Sequence, residues 1–163
     1  MHSRRAVNFG GAVACSAMLA YALYAQYGLG LDPCPLCIFQ RVAVMALGVV
    51  FLAAALQHPR GRGRYVYAVL VGLTALTTAG LSIRHLYIQS QPPGSIPSCG
   101  APLGVMLKFS PFFEVVRKVL TGGGECSQVN WSFAGLAMPA WLLVAALTLG
   151  AAGVVANLRE QPR

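Results

Sequence analysis

The chain has 163 residues, of which 56% are apolar and only 10% charged, with a mean hydropathy of +0.63. A soluble domain carries about 25% charged residues, so this composition excludes a compact water-soluble monomer, and the length excludes a large multidomain enzyme. Twelve Lys+Arg against four Asp+Glu leave a net charge of +8. In a membrane protein that excess is first a topology signal, and no nucleic-acid partner is expected.

The elements follow from where charge is missing. Ala6 to Leu31 is a charge-free run of 26 residues, more than the roughly 20 that cross hydrocarbon. Arg4 and Arg5 would suit a signal peptide, but an apolar core of that kind runs only about 7–15 residues. An uncleaved first span over 7–29 is expected, with Tyr21, Tyr24 and Tyr27 near its far interface. Val42 to Pro59 and Tyr65 to Ile83 are the next charge-free runs, giving spans over 42–57 and 65–83. Cys126 to Leu158 is longer than one span requires. Pro139, suited to the first turn of a helix, places the fourth span over 139–157. The fold class is an all-α membrane protein, a four-helix transmembrane bundle forming a single domain over 1–163.

Four spans put both termini on one side. Arg4, Arg5, Arg60, Arg62, Arg64, Arg159 and Arg163 lie there, against Arg41, Arg84, Lys108, Arg117 and Lys118 opposite. Three of the first group crowd the short loop His58–Arg64, where the positive-inside signal is strongest, so both termini are read as cytoplasmic. Segments 30–41 and 84–133 then face outward. In the second, Ser110-Pro111 can cap a short helix. Phe112, Val115, Val116, Val119 and Leu120 share one face of it, and Glu114, Arg117 and Lys118 the other. Such an amphipathic helix would lie in the membrane interface.

All cysteines but one fall on the outward side. Cys34-Pro35-Leu36-Cys37 is a C-x-x-C, a spacing shared by redox pairs, half zinc sites and structural disulfides. Asp32 or Cys34 can cap the helix that follows, which puts Cys37 in its first turn, where free N–H groups favour a thiolate. Arg41 stands one turn further along the same face and adds a fixed positive charge. An arginine at a span end is ordinarily a snorkelling anchor; beside Cys37 and Gln40 it reads as part of a reactive site. Cys99 and Cys126 flank the amphipathic helix in glycine- and serine-rich stretches that suit an exchangeable bond better than a rigid brace. Four thiols allow three pairings, and the residues alone leave all three open. Cys15, mid-span, reads as a small core hydrophobe. His85 follows Arg84 at the outward end of the third span, and Trp131 and Trp141 read as aromatic-belt residues.

The segment Asp-Pro-Cys-Pro-Leu-Cys-Ile-Phe-Gln-Arg (32–41), Pro-Ser-Cys-Gly around Cys99, Phe-Ser-Pro at 109–111, Thr-Gly-Gly-Gly-Glu-Cys-Ser at 121–127 and the run Trp131–Trp141 occur in one order. Over essentially the whole chain this set resembles the disulfide bond formation protein B (DsbB) family, bacterial inner-membrane thiol oxidases. The resemblance implies disulfide pairs Cys34–Cys37 and Cys99–Cys126 and a soluble periplasmic thioredoxin-fold partner of the DsbA type. It also implies a membrane quinone, ubiquinone or menaquinone, as acceptor, held near Arg41, His85 and Met138. The DsbA–DsbB–quinone system is known to keep the bacterial periplasm oxidising. Gln40 departs from relatives that carry an acidic residue there, and Cys15 matches no motif of the family.

Two other classes compete. The vitamin K epoxide reductase group also uses four-span bundles and two cysteine pairs, but its C-x-x-C comes late, whereas here it precedes the second span. A zinc- or copper-binding membrane module would use the outward thiols. Cys99 and Cys126 lack the short spacing of a zinc set and no histidine lies near them in sequence, so no metal is expected.

Overall fold

In hydrocarbon each backbone N–H and C=O must be satisfied within its own segment, so long charge-free runs fold as helices. The computed structural model describes residues 4–59, 61–92, 108–121, 126 and 132–159. In chain order these form α1 (Arg4–Tyr27), α2 (Pro35–Gln57), α3 (Gly63–Gln89), a short α4 (Phe112–Thr121), a two-stranded hairpin β1 (Ser132–Phe133) and β2 (Leu136–Ala137), and α5 (Met138–Leu158). Helices α1, α2, α3 and α5 are each long and apolar enough to cross a bilayer. They pack in the cyclic order α1–α2–α3–α5, with α5 closing back on α1. Both ends of the described chain therefore lie at one end of the bundle, beside the α2–α3 connection.

Two helices run past the limits set by charge. The second begins at Pro35, not Val42, and the third continues to Gln89, beyond Ile83. A charged residue ends a lipid-facing run but does not end a helix whose charge has a partner inside the protein. Arg41 turns its guanidinium onto α1, donating to Gln26 Oε1 and to the Ala22 carbonyl at 3.0 Å. Arg84 turns onto α4. The third helix stops only at Ser90, just before Pro92.

Burying apolar surface brings little gain when the alternative solvent is lipid, so the bundle depends on close packing and interhelical hydrogen bonds. Small residues let the helices approach. A Cβ on Gly150 would lie 2.6 Å from the Ala75 Cβ, and one on Gly48 would lie 3.0 Å from the Cys15 Cβ. Phe51 fills the centre, its ring lying over Gly11 of α1 and Gly153 of α5, with Val71 of α3 beside it. Cys15 is buried in the same cluster. Towards the chain ends Asn8 and Asn157 exchange amide hydrogen bonds of 3.2 and 3.0 Å. Arg4 donates to the carbonyls of Pro59 and Arg159 at 2.7 and 2.8 Å, tying the exits of α2 and α5 together.

At the opposite end the elements are short. The β1–β2 hairpin turns through Ala134 and Gly135, both at positive φ (51° and 78°), as a two-residue turn of this twist requires. It delivers the chain directly into α5, with Pro139 in the first turn. Helix α4 buries Val115 and Val119 against Leu36 of α2 and Ile88 of α3, while Phe113 stays 82% exposed. The amphipathic pattern thus seats one valine edge on the bundle rim and leaves the rest to the interface.

The Phe51 contacts predict that Gly153→Ala, whose new Cβ would lie 2.5 Å from the Phe51 ring, destabilises the bundle by about 1–3 kcal/mol. Thermal unfolding in detergent micelles measures it. Gly80→Ala, which meets nothing within 4 Å, should leave the midpoint unchanged or slightly raised, and equal midpoints for both variants would contradict this packing.

Candidate active site

The C-x-x-C lies where α2 begins. Cys34 is the N-cap: its backbone is extended (φ −63°, ψ 159°), Pro35 opens the helix, and the Cys34 sulfur accepts from the Cys37 N–H at 3.2 Å. Of the two candidate caps, Asp32 and Cys34, the thiol does the work. Capping geometry brings the two sulfurs to 2.7 Å. The two thiols are thus in direct contact at the start of the helix.

His85 reaches this pair from α3, with Nε2 3.8 Å from the Cys34 sulfur. It is only 3% exposed, and its Nδ1 lies 3.2 Å from Gln40 Oε1. The Gln40 amide nitrogen donates to Ser82 Oγ at 3.2 Å, and Ser82 donates to the Thr78 carbonyl at 2.9 Å. A polar chain thus runs from Cys34 into the bundle, each member meeting the next. The sequence places His85 at the outward end of the third span, and the resemblance implies a place at the site, but nothing in it points to the approach to Cys34, 51 residues away. The fold nevertheless gathers Cys34, Cys37 and His85 with their ligand atoms within 4.8 Å.

Cys126 is also brought in, although it follows Cys37 by 89 residues. It is 1% exposed, packs with Leu36, Ile88, Val115 and Val119, and hydrogen-bonds the Cys34 side chain. Arg84 organises the approach. Its Nε and Nη2 donate to the last carbonyls of α4, those of Leu120 and Thr121, at 2.7 and 2.9 Å, and its guanidinium lies over the Tyr87 ring. Arg84 is thus a C-terminal cap for α4. Cys99 and Trp131 lie outside the described residues.

The third side of the cysteine pair opens on a cavity of about 550 Å³. Residues of α1 from Ala17 to Ala25 and of α5 from Met138 to Ala145 form two of its walls, with Val44 at the back. Cys37, Gln40, Arg41 and His85 contribute polar groups, as do Asp32 and Gln89, to a mostly apolar lining. Met138 and Trp141 both line it; Trp141, read from sequence as a belt residue, serves as cavity wall. Gln26, which holds the Arg41 guanidinium, was not singled out from sequence. Only its pairing with the Arg41 guanidinium, which has no sequence signature, identifies it. Cys15 lies apart in the central core.

A membrane bundle with a cysteine pair at its rim, a third thiol against that pair and an apolar cavity behind it has the parts of a membrane thiol–disulfide oxidoreductase. The family model described as "Disulfide bond formation protein DsbB" matches residues 4–156. Relatives named disulfide bond formation protein B include one from Methylococcus capsulatus, 46% identical over 141 residues and covering 86% of each chain. Another, from Hahella chejuensis, is 44% identical and covers 97% of this chain and 96% of its own. A third, from Nitrosococcus oceani, is 48% identical over 91% of this chain and 88% of its own. The chain belongs to the DsbB family and is a disulfide-forming oxidoreductase of multi-pass membrane type.

Within the site, Cys34 is held as a thiol well above the ordinary cysteine range by its hydrogen bond to Cys126, then by that to Cys37 and by burial. Less of it is ionised at a given pH than in the unfolded chain. In the reduced protein iodoacetamide at pH 8 should therefore label Cys34 at least about tenfold more slowly than in the denatured chain. Cys126→Ala should move the onset of labelling to lower pH. Equal labelling in folded and denatured protein, read by peptide mass spectrometry, would contradict this environment.

Proposed function

We propose that this protein oxidises a periplasmic thioredoxin-fold dithiol oxidase of the DsbA type and passes the two electrons through Cys99–Cys126 and Cys34–Cys37 to a membrane quinone. The observation that carries the reading is one site in which the Cys34–Cys37 contact lies between Cys126 and an apolar cavity ending in Arg41 and His85. The positive-inside pattern supports an inner-membrane setting with both termini cytoplasmic and the cysteine end periplasmic.

Exchange begins when a partner thiolate attacks Cys99, breaking Cys99–Cys126 and releasing Cys126 as thiolate. The partner's second thiol displaces Cys99, leaving the partner oxidised. Cys126, already against Cys34, attacks the Cys34 sulfur; a Cys34–Cys126 bond forms and Cys37 leaves as thiolate. Cys99 then attacks Cys126, restoring Cys99–Cys126 and releasing Cys34, so both electrons rest on the Cys34–Cys37 dithiol. Attack at Cys34 suits the site, since the sulfur displaced is the one at the helix start, where N–H groups favour negative charge.

The cavity fits a quinone: apolar walls from Ala17 to Ala25 and Met138 to Ala145 suit a ring and tail, and the patch of Cys37, Arg41 and His85 suits ring oxygens. A bound quinone accepts two electrons and two protons. Arg41, fixed by Gln26 and the Ala22 carbonyl, holds a positive charge where negative charge must be stabilised. Met138 closes the wall beside it.

Stopped-flow mixing of the purified protein with reduced DsbA, with and without a short-chain quinone, tests the reading. Cys37→Ser should abolish quinone reduction, and retained turnover would exclude Cys37 as the thiol facing the acceptor. Arg41→Ala should raise the apparent KM for quinone about tenfold or more, as expected for loss of a hydrogen bond to a charged group. Cys15→Ala, buried in the core away from the site, should leave turnover unchanged.

A further inference from the structure

Gln40 occupies a position that the relay described above does not use, yet it is only 5% exposed and sits within the site. Its amide has two ends, a donor and an acceptor, and the neighbours decide which faces which. Ser82 has one hydroxyl hydrogen and gives it to the Thr78 carbonyl at 2.9 Å, so towards Gln40 it can only accept. The Gln40 NH₂ therefore faces Ser82, and Oε1, an acceptor, faces His85 Nδ1 at 3.2 Å. An acceptor there requires a proton on Nδ1. Neutral imidazole carries one proton, so Nε2, 3.8 Å from the Cys34 sulfur, keeps its lone pair.

We infer that Gln40 is a positioning residue for proton transfer at Cys34: anchored on Ser82, it fixes the His85 tautomer that presents an empty Nε2 to the thiol. The inference rests on the functional reading above. When Cys34–Cys37 is restored, the Cys34 sulfur bonds to Cys37 and the Cys34 S–H proton passes to His85 Nε2. The electron pair leaves towards the quinone assigned to the cavity. Hydrogen bonding and burial hold Cys34 as a thiol, so the step needs a base at hand. The main-chain carbonyl of Cys126 also faces the His85 ring and can accept from the imidazolium so formed. The other titratable or charged groups around the ring are Cys34 and Cys37 at the start of α2, with Arg41 and Asp32 lining the same cavity. Arg84, adjacent in sequence, is held on α4.

Gln40→Met and Gln40→Glu separate this role from mere packing. With ¹⁵N-labelled histidine in detergent micelles, the unsubstituted protein should show His85 protonated at Nδ1 and bare at Nε2. Gln40→Met should lose that preference and slow reoxidation of the Cys34–Cys37 dithiol about tenfold or more. Gln40→Glu keeps the acceptor but adds a negative charge that favours imidazolium, so Nε2 stays occupied to higher pH. The acid limb of the reoxidation rate should move up by about one pH unit. If Gln40→Met does not fold, Ser82→Ala, which releases the amide, should loosen the tautomer in the same way. A proton on Nε2 in the unsubstituted protein, or tautomer and pH profile unmoved by these substitutions, would overturn the role of Gln40 while leaving the relay intact. Failure of the unsubstituted protein to pass electrons from reduced DsbA to quinone would instead overturn the functional reading, and the proton step with it.

Discussion

A polar group inside hydrocarbon must find its partner within the protein, because no water is there to supply one. This constraint shapes the bundle at both ends. Near the chain termini it joins Asn8 to Asn157 and seats the Arg4 guanidinium on two helix-exit carbonyls. At the cysteine end it turns Arg41 onto α1, Arg84 onto α4 and His85 onto Gln40. Each pairing fixes one helix against another, so the groups that cost most to bury also set the register of the site.

The same constraint explains why the site is divided as it is. Helices α1 and α5 close on each other through the asparagine pair near the chain ends, and towards the cysteine end they line facing walls of a cavity. The thiol pair stands at the rim of that cavity, between it and Cys126. The Cys34 sulfur both caps the helix and touches Cys37, so the local fold of α2 and the thiol contact depend on the same atom.

Small residues carry the remaining load. Gly11 and Gly153 admit the Phe51 ring to the centre, and Gly150 meets Ala75 across α5 and α3. Rigid packing there matters to function, since the sulfur and imidazole positions at the rim are set by helices whose spacing is fixed at the middle of the bundle. Helix α4 is held differently, by two valines and one arginine clasp.

Charge-free runs, turn residues and the ordered cysteine motifs were enough to read four spans, a short amphipathic helix and a thiol pair at the start of the second span. Those features are local, set by hydropathy, by proline and by capping within a few residues. The limits of α2 and α3 were not legible, because an arginine whose partner lies on another element ends a lipid-facing run without ending its helix. Nor were the approach of His85 to Cys34, the clasp of Arg84 on α4 or the parts played by Gln26 and Gln40. Each depends on side chains that meet across helices from distant parts of the chain. The sequence by itself determined the class of protein and the place of its thiol pair at the start of the second span. Only the tertiary structure decided which polar groups face them, because in a membrane bundle those partners are chosen by which helix faces touch.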